Sequence, residues 1–145
     1  MSEFIFEDRE EDFNVTGTCQ VFEKGAFDPT TLIKTNQDWF VRIRLRTEGI
    51  MNGTTAGSFL LRLHLEGLGL AASELDLPAV AVSVDLTPDS PPQDYLKDIE
   101  VKAGDVPVGA YKLVTTVNVI GPAPKKAPAA IAGYCEGPIL QFYAV

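Results

Sequence analysis

Apolar and polar residues alternate with period two over most of this chain, the pattern of half-buried β-strands. Trp39, Val41, Ile43 and Leu45 alternate with Phe40, Arg42, Arg44 and Arg46, and Phe59, Leu61, Leu63 and Leu65 alternate with Leu60, Arg62, His64 and Glu66. The longest clean run follows a turn ending at Gly109, with Tyr111, Leu113, Thr115, Val117 and Val119 on one side and Lys112, Thr116 and Asn118 on the other. It predicts the central strand. Further strands are predicted at 13–22, 80–86, 95–101 and 131–145, the last broken at Gly137-Pro138. That makes seven, read in order as strands one to seven at 13–22, 39–47, 58–66, 80–86, 95–101, 110–120 and 131–145.

Gly- and Pro-rich turns separate these runs, and no segment has the period of an amphipathic helix. Asn52-Gly53 suggests a tight hairpin between strands two and three. A two-residue turn there would set inward odd positions of one strand against outward even positions of the next, so a crossing between sheets at Gly49, Gly53 and Gly57 is expected instead. The fold class is therefore all-β, one antiparallel β-sandwich of about seven strands. Tyr111, just inside the sixth strand after a Gly-containing turn, occupies the place of a tyrosine corner, with its acceptor expected within 104–107. On this residue the chain resembles the immunoglobulin-like and fibronectin-type sandwiches. It departs from antibody domains in having no cysteine on strand six and its tryptophan at the start of strand two. The resemblance implies that strands two and five are neighbours in one sheet and that strands three, six and seven form the other.

The 145 residues suit one domain, read as an acidic N-terminal arm over 1–12 and a sandwich over 13–145. A net charge of −8 argues against nucleic acid as a partner. No basic leader and no long apolar run is present, so no membrane association is expected and a cytoplasmic location is. Asn14-Val-Thr16 and Asn52-Gly-Thr54 match the glycosylation pattern but read as strand and turn residues. Cys19 and Cys135 lack metal-ligand spacing and read as buried thiols; lying in the first and last of the seven strands, they are also placed where an inter-strand bridge can form in an oxidising compartment.

Catalytic signals are sparse. His64 is the single histidine, on an outer strand face, and no nucleophile, zinc or phosphate-loop motif accompanies it. No enzyme activity, cofactor or metal is expected; Asp85, Asp89 and Asp94 match no calcium loop. Three surfaces remain. Arg42, Arg44 and Arg46 form a cationic stripe able to grip anions, although Asp98 and Glu100 are expected opposite them. Leu60, Val114, Ile120, Leu140 and Phe142 are predicted on the outer face of the sheet made by strands three, six and seven, where polar residues belong. Phe4, Ile5 and Phe6, beside the charged run 7–12, read as an arm that either covers the edge of the last strand or leaves it to a second subunit.

These features predict a non-enzymatic interaction or assembly module that self-associates or docks on a protein partner through that outer face and edge. The alternative is a sandwich binding carbohydrate or an anionic ligand with its end loops, 28–38 and 121–130; against it, the outer strand faces offer only Trp39, Phe40 and Tyr134 as near candidates for aromatic platforms. The loop 121–128, with Lys125 and Lys126 at its tip, belongs to either picture.

Overall fold

The structure, a computed structural model, describes residues 2–7, 14–49, 57–69, 74–89, 91–121 and 128–144. Among these residues there are ten strands and no helix: β1 (Ser2–Glu3), β2 (Ile5–Glu7), β3 (Asn14–Glu23), β4 (Leu32–Lys34), β5 (Trp39–Glu48), β6 (Ser58–Leu68), β7 (Glu74–Asp85), β8 (Gln93–Val101), β9 (Gly109–Ile120) and β10 (Pro128–Tyr143). They form a β-sandwich. One sheet has the order β1-β3-β5-β8; the other has β2-β10-β9-β6-β7, with β4 pairing in parallel with β10. The second and fifth of the seven expected strands, β5 and β8, are neighbours, and the third, sixth and seventh share the other sheet, as the resemblance implied. The fourth, β7, joins β6 rather than β8, the place an added edge strand takes in variable-type immunoglobulin domains.

Alternation fixes which residues fill the space between the sheets. Along β5 the odd positions are buried and Arg44 and Arg46 are exposed. Fully buried Trp39, Phe59, Leu63 and Leu113 belong to one contiguous core. Because β5 and β6 belong to different sheets, the chain between them does cross; Asn52 and Gly53 themselves lie outside the described residues, as do Phe13, the charged residues 8–12 and the loop 122–127. Gly57, at φ 126°, ends that crossing where a Cβ would overlap the Ile120 carbonyl oxygen. The Tyr111 hydroxyl donates to the Pro107 carbonyl at 3.1 Å, the corner expected from the sequence.

Two expectations need correction. Leu140 and Phe142 are not on the outer face; they are 0% and 2% exposed, and Phe142 packs edge-on against both Trp39 and Tyr111. The cause is a register shift in β10 between Glu136 and Ile139, at Gly137-Pro138, where proline cannot donate to the ladder. Before the shift the odd residues Gly133 and Cys135 face inward, and after it the even residues Leu140 and Phe142 do.

The second is the boundary drawn at residue 12: the segment read as an arm covers the edge of the last strand, one of the two outcomes expected of it, and does so as part of the sandwich. Residues 2–7 are part of both sheets: β1 pairs with β3, the Phe4 N–H donates to the Gly17 carbonyl at 2.9 Å, and β2 pairs with β10. Phe4 and Phe6 are buried, their ring centroids 5.8 Å apart, while Ile5 between them is exposed. Each ring lies over a glycine. A Cβ on Gly17 would stand 3.2 Å from the Phe4 ring and only 2.6 Å from the Arg44 carbonyl oxygen; one on Gly133 would stand 2.5 Å from the Phe6 ring. The missing side chains are the sockets. Burying two phenyl rings contributes about 1.5–3 kcal/mol each, which with the backbone pairing of β1 and β2 offsets the entropy lost in ordering the segment.

Candidate functional site

The sandwich offers two outer faces, and they differ in how completely their side chains satisfy one another. On the four-stranded sheet, β5 sets Arg42 opposite Asp98 and Arg46 opposite Asp94. The Arg42 guanidinium donates two hydrogen bonds to the Asp98 carboxylate, at 2.9 and 3.0 Å, and its carbon lies 5.3 and 5.4 Å from the Phe22 and Phe40 ring centroids. Those rings stack on each other at 5.3 Å. The hydrogen bonds that Arg42 donates to Asp98 raise its pKa further, against the opposing effect of desolvation, so this charge is fixed and shared. Arg46 donates to both oxygens of Asp94 at 3.1 Å. Arg44 stands between Thr18 and Leu96 in the register and has no ion pair among the described residues. A recess of about 690 Å³ near Arg44 and Arg46 is also lined by Glu3 and Asp94, which offset their charge. Glu100, also expected opposite an arginine, pairs with Phe40.

On the six-stranded sheet the even residues of β6 and β9 point outward. Leu60, Val114 and Ile120 lie on this face, half-buried, as the alternation predicted. The bulge in β10 replaces Leu140 and Phe142 there with Ile139, which is 58% exposed. One cross-strand row runs Leu68, Ala110, Gln141, Leu32, with Leu68 48% and Leu32 55% exposed. Higher on the face, Tyr134 of β10 pairs with exposed Ile5 of β2. Ile139 and Leu32 escape a reading of the sequence because the first depends on the bulge and the second on a three-residue strand. Only Leu68, in step with Leu60, continues a visible alternation.

The middle of this face is a recess of about 610 Å³ lined by Leu60, Arg62, His64, Thr116, Asn118 and Tyr134, among others. His64 Nδ1 lies 2.6 Å from Asp76 Oδ1, and Nε2 lies 3.4 Å from Thr116 Oγ1. An ionised carboxylate only accepts, so Nδ1 carries the proton toward Asp76, and in the neutral ring Nε2 accepts from the Thr116 hydroxyl. The imidazole is held in one orientation on an open face.

The aromatic platforms fare differently. Trp39 is buried against Phe142, Phe40 stacks on Phe22 with Arg42 over it, and of the three Tyr134 alone presents a ring, on the outer sheet face. The segment 28–38 contains β4 and is part of the six-stranded sheet. Among the described residues no group of three or more His, Cys, Asp or Glu could hold a metal ion, and no helix is long and apolar enough to cross a membrane.

No family model and no curated protein matches the chain. Among solved structures it is similar to the crystal structure of the C-terminal domain of wzt, with a TM-score of 0.52 and 14% identity, over 97% of this chain and 78% of that one. At that identity the likeness carries the β-sandwich fold and nothing further.

Proposed function

We propose that the protein is a non-enzymatic interaction module that self-associates through the outer face of its six-stranded sheet. The observation that carries this reading is the set of exposed apolar side chains, Leu32, Leu68 and Ile139, with Ile5 and Tyr134 above them, on a face that should be polar. The edge of β10 is no longer part of the reading, since β2 and β4 pair along it. Five strands at about 4.8 Å spacing and eight residues of length give roughly 600 Å² per copy, at the lower limit for a specific interface. Such a dimer forms at micromolar concentration, and because each copy carries −8 its formation is favoured by added salt. Sedimentation velocity across the micromolar range tests this. A dimer strengthened by salt and lost in Leu32→Asp/Ile139→Asp supports the reading; a wild-type monomer at every concentration and salt sinks it.

A second reading rests on the recess. Tyr134 beside Arg62, Asn118 and the oriented His64 combines an aromatic platform with fixed polar groups, the composition that suits a polyhydroxylated, carbohydrate-like ligand. The order carboxylate, imidazole, hydroxyl resembles a nucleophile relay. However, β9 is paired on both sides, so the backbone N–H groups around Thr116 serve the ladders rather than an oxyanion. Chemical-shift changes confined to Tyr134, Asn118 and His64 on titration with neutral oligosaccharides, abolished in Tyr134→Ala, would support this reading; an unchanged spectrum would remove it.

A further inference from the structure

The two cysteines are 116 residues apart in sequence and come together across the core. Cys19 of β3 and Cys135 of β10 belong to opposite sheets, are 1% and 0% exposed, and place their sulfur atoms 2.7 Å apart as free thiols. Thr115, the cross-strand neighbour of Cys135, is also fully buried, and its hydroxyl makes no hydrogen bond within ordinary geometric limits. Above them passes the N-terminal segment, with Ser2 opposite Cys19 in the register and β2 on the outer edge of β10. The pair is thus both adjacent and enclosed.

We propose that Cys19 and Cys135 are an oxidisable pair that forms a disulfide between the two sheets, and that residues 2–7 control access to it. The oxidant is a low-molecular-weight disulfide such as oxidised glutathione. Cys19 thiolate attacks one sulfur of that disulfide, forming a mixed disulfide and releasing one small thiol. Cys135, losing its proton, then attacks the Cys19 sulfur, so that the protein disulfide forms and the second small thiol leaves. Two protein thiols are oxidised and one small disulfide is reduced to two thiols. The hydrogen bond between the two sulfurs lowers the Cys19 pKa, against the opposing effect of burial, and together with burial raises that of Cys135, so the first attack is drawn at Cys19. Attack by a bulky reagent requires the edge to open, and the part of the edge beside Cys19 is β1, two residues long.

The experiment uses the full chain, incubated with oxidised glutathione, denatured, alkylated and weighed. The expected product is an unalkylated monomer lighter than the reduced chain by about 2 Da, whose melting temperature is higher by about 10–15 °C because the closed loop is long. Cys19→Ser and Cys135→Ser each lose the mass change and the shift. Gly133→Ala, which displaces Phe6 from its socket without touching either thiol, reaches the oxidised form at least several-fold faster. Two alkylated thiols after prolonged treatment, a persistent glutathione adduct or a disulfide-linked dimer would each overturn the pair. Oxidation at an unchanged rate in Gly133→Ala, with residues 2–7 shown by hydrogen exchange to be loosened, would overturn the role of the N-terminal segment. If the serine variants fail to fold, the mass of the treated wild type still decides.

Discussion

The two outer faces of the sandwich are built from the same alternation and come to opposite ends. On the four-stranded sheet, the outward residues of β5 find acids across the strand on β8, and the aromatic pair Phe22 and Phe40 packs under Arg42, so its groups are mostly satisfied within the chain. On the six-stranded sheet Lys112 does pair with Glu136, at 3.3 Å, but the outward row of Leu68, Ala110, Gln141 and Leu32 contains no such pair, and Ile139 stands exposed beside it. Charge density therefore says little about which face has work to do. A stripe of arginines that is paired internally is quieter than a row of leucines that is not.

Substitutions can break or sharpen this contrast. The largest effect is expected from Phe142→Ala, which leaves a cavity between Trp39 and Tyr111 and costs about 3–5 kcal/mol in chemical denaturation. A near-neutral result would return Phe142 to the outer face and undo the bulge as the explanation. Next comes Gly133→Ala, which forces Phe6 from its socket; a loss of about 1–3 kcal/mol, with faster hydrogen exchange at residues 4–6, is expected. Arg46→Ala removes an exposed pair with Asp94 and is expected to lower stability by only ~0.2–1 kcal/mol, less at high salt, with sedimentation unchanged. Leu32→Asp/Ile139→Asp is expected to alter monomer stability least, by about 0.5 kcal/mol or less, yet to abolish self-association. If Arg46→Ala rather than this double variant disrupts the dimer, the assignment of the two faces is reversed.

How much of this was legible in the sequence depended on whether a residue's neighbours in the chain decide its environment. Along β5, β6 and β9, unbroken alternation predicted which side faces inward, and the pairing of Arg42 with Asp98 followed from strand order. Tyr111 could be assigned a partner because its corner is local. In β10 the same reasoning failed halfway. Gly137-Pro138 is visible as a break, but whether a break shifts parity depends on how β9 accommodates it, and the last third of the strand turned over. The short strands β1, β2 and β4 carry too few residues for a period; they exist because their partners offer an edge and, for β1 and β2, because Gly17 and Gly133 leave room for phenyl rings. In 74–77 the residues Leu75 and Leu77 do alternate, but the glycines before them favoured an irregular connection, and β7 starts six residues earlier than expected. Leu60, Arg62, His64, Thr116 and Asn118 were each placed on the outward side of their strands, while the meeting of His64 with Asp76 depended on that missed half of β7.

The pairing of β2 with β10 has a kinetic consequence. Phe6 meets Gly133 across a separation of 127 residues (133 − 6), so almost the whole chain must be organised before that contact forms; once β3 and β10 are in place, only the short span from Phe6 to Asn14 is left to close. Folding is then expected to proceed in two stages, in which β3 to β10 condense first and residues 2–7 dock afterwards, like a clasp fastened once the garment is on.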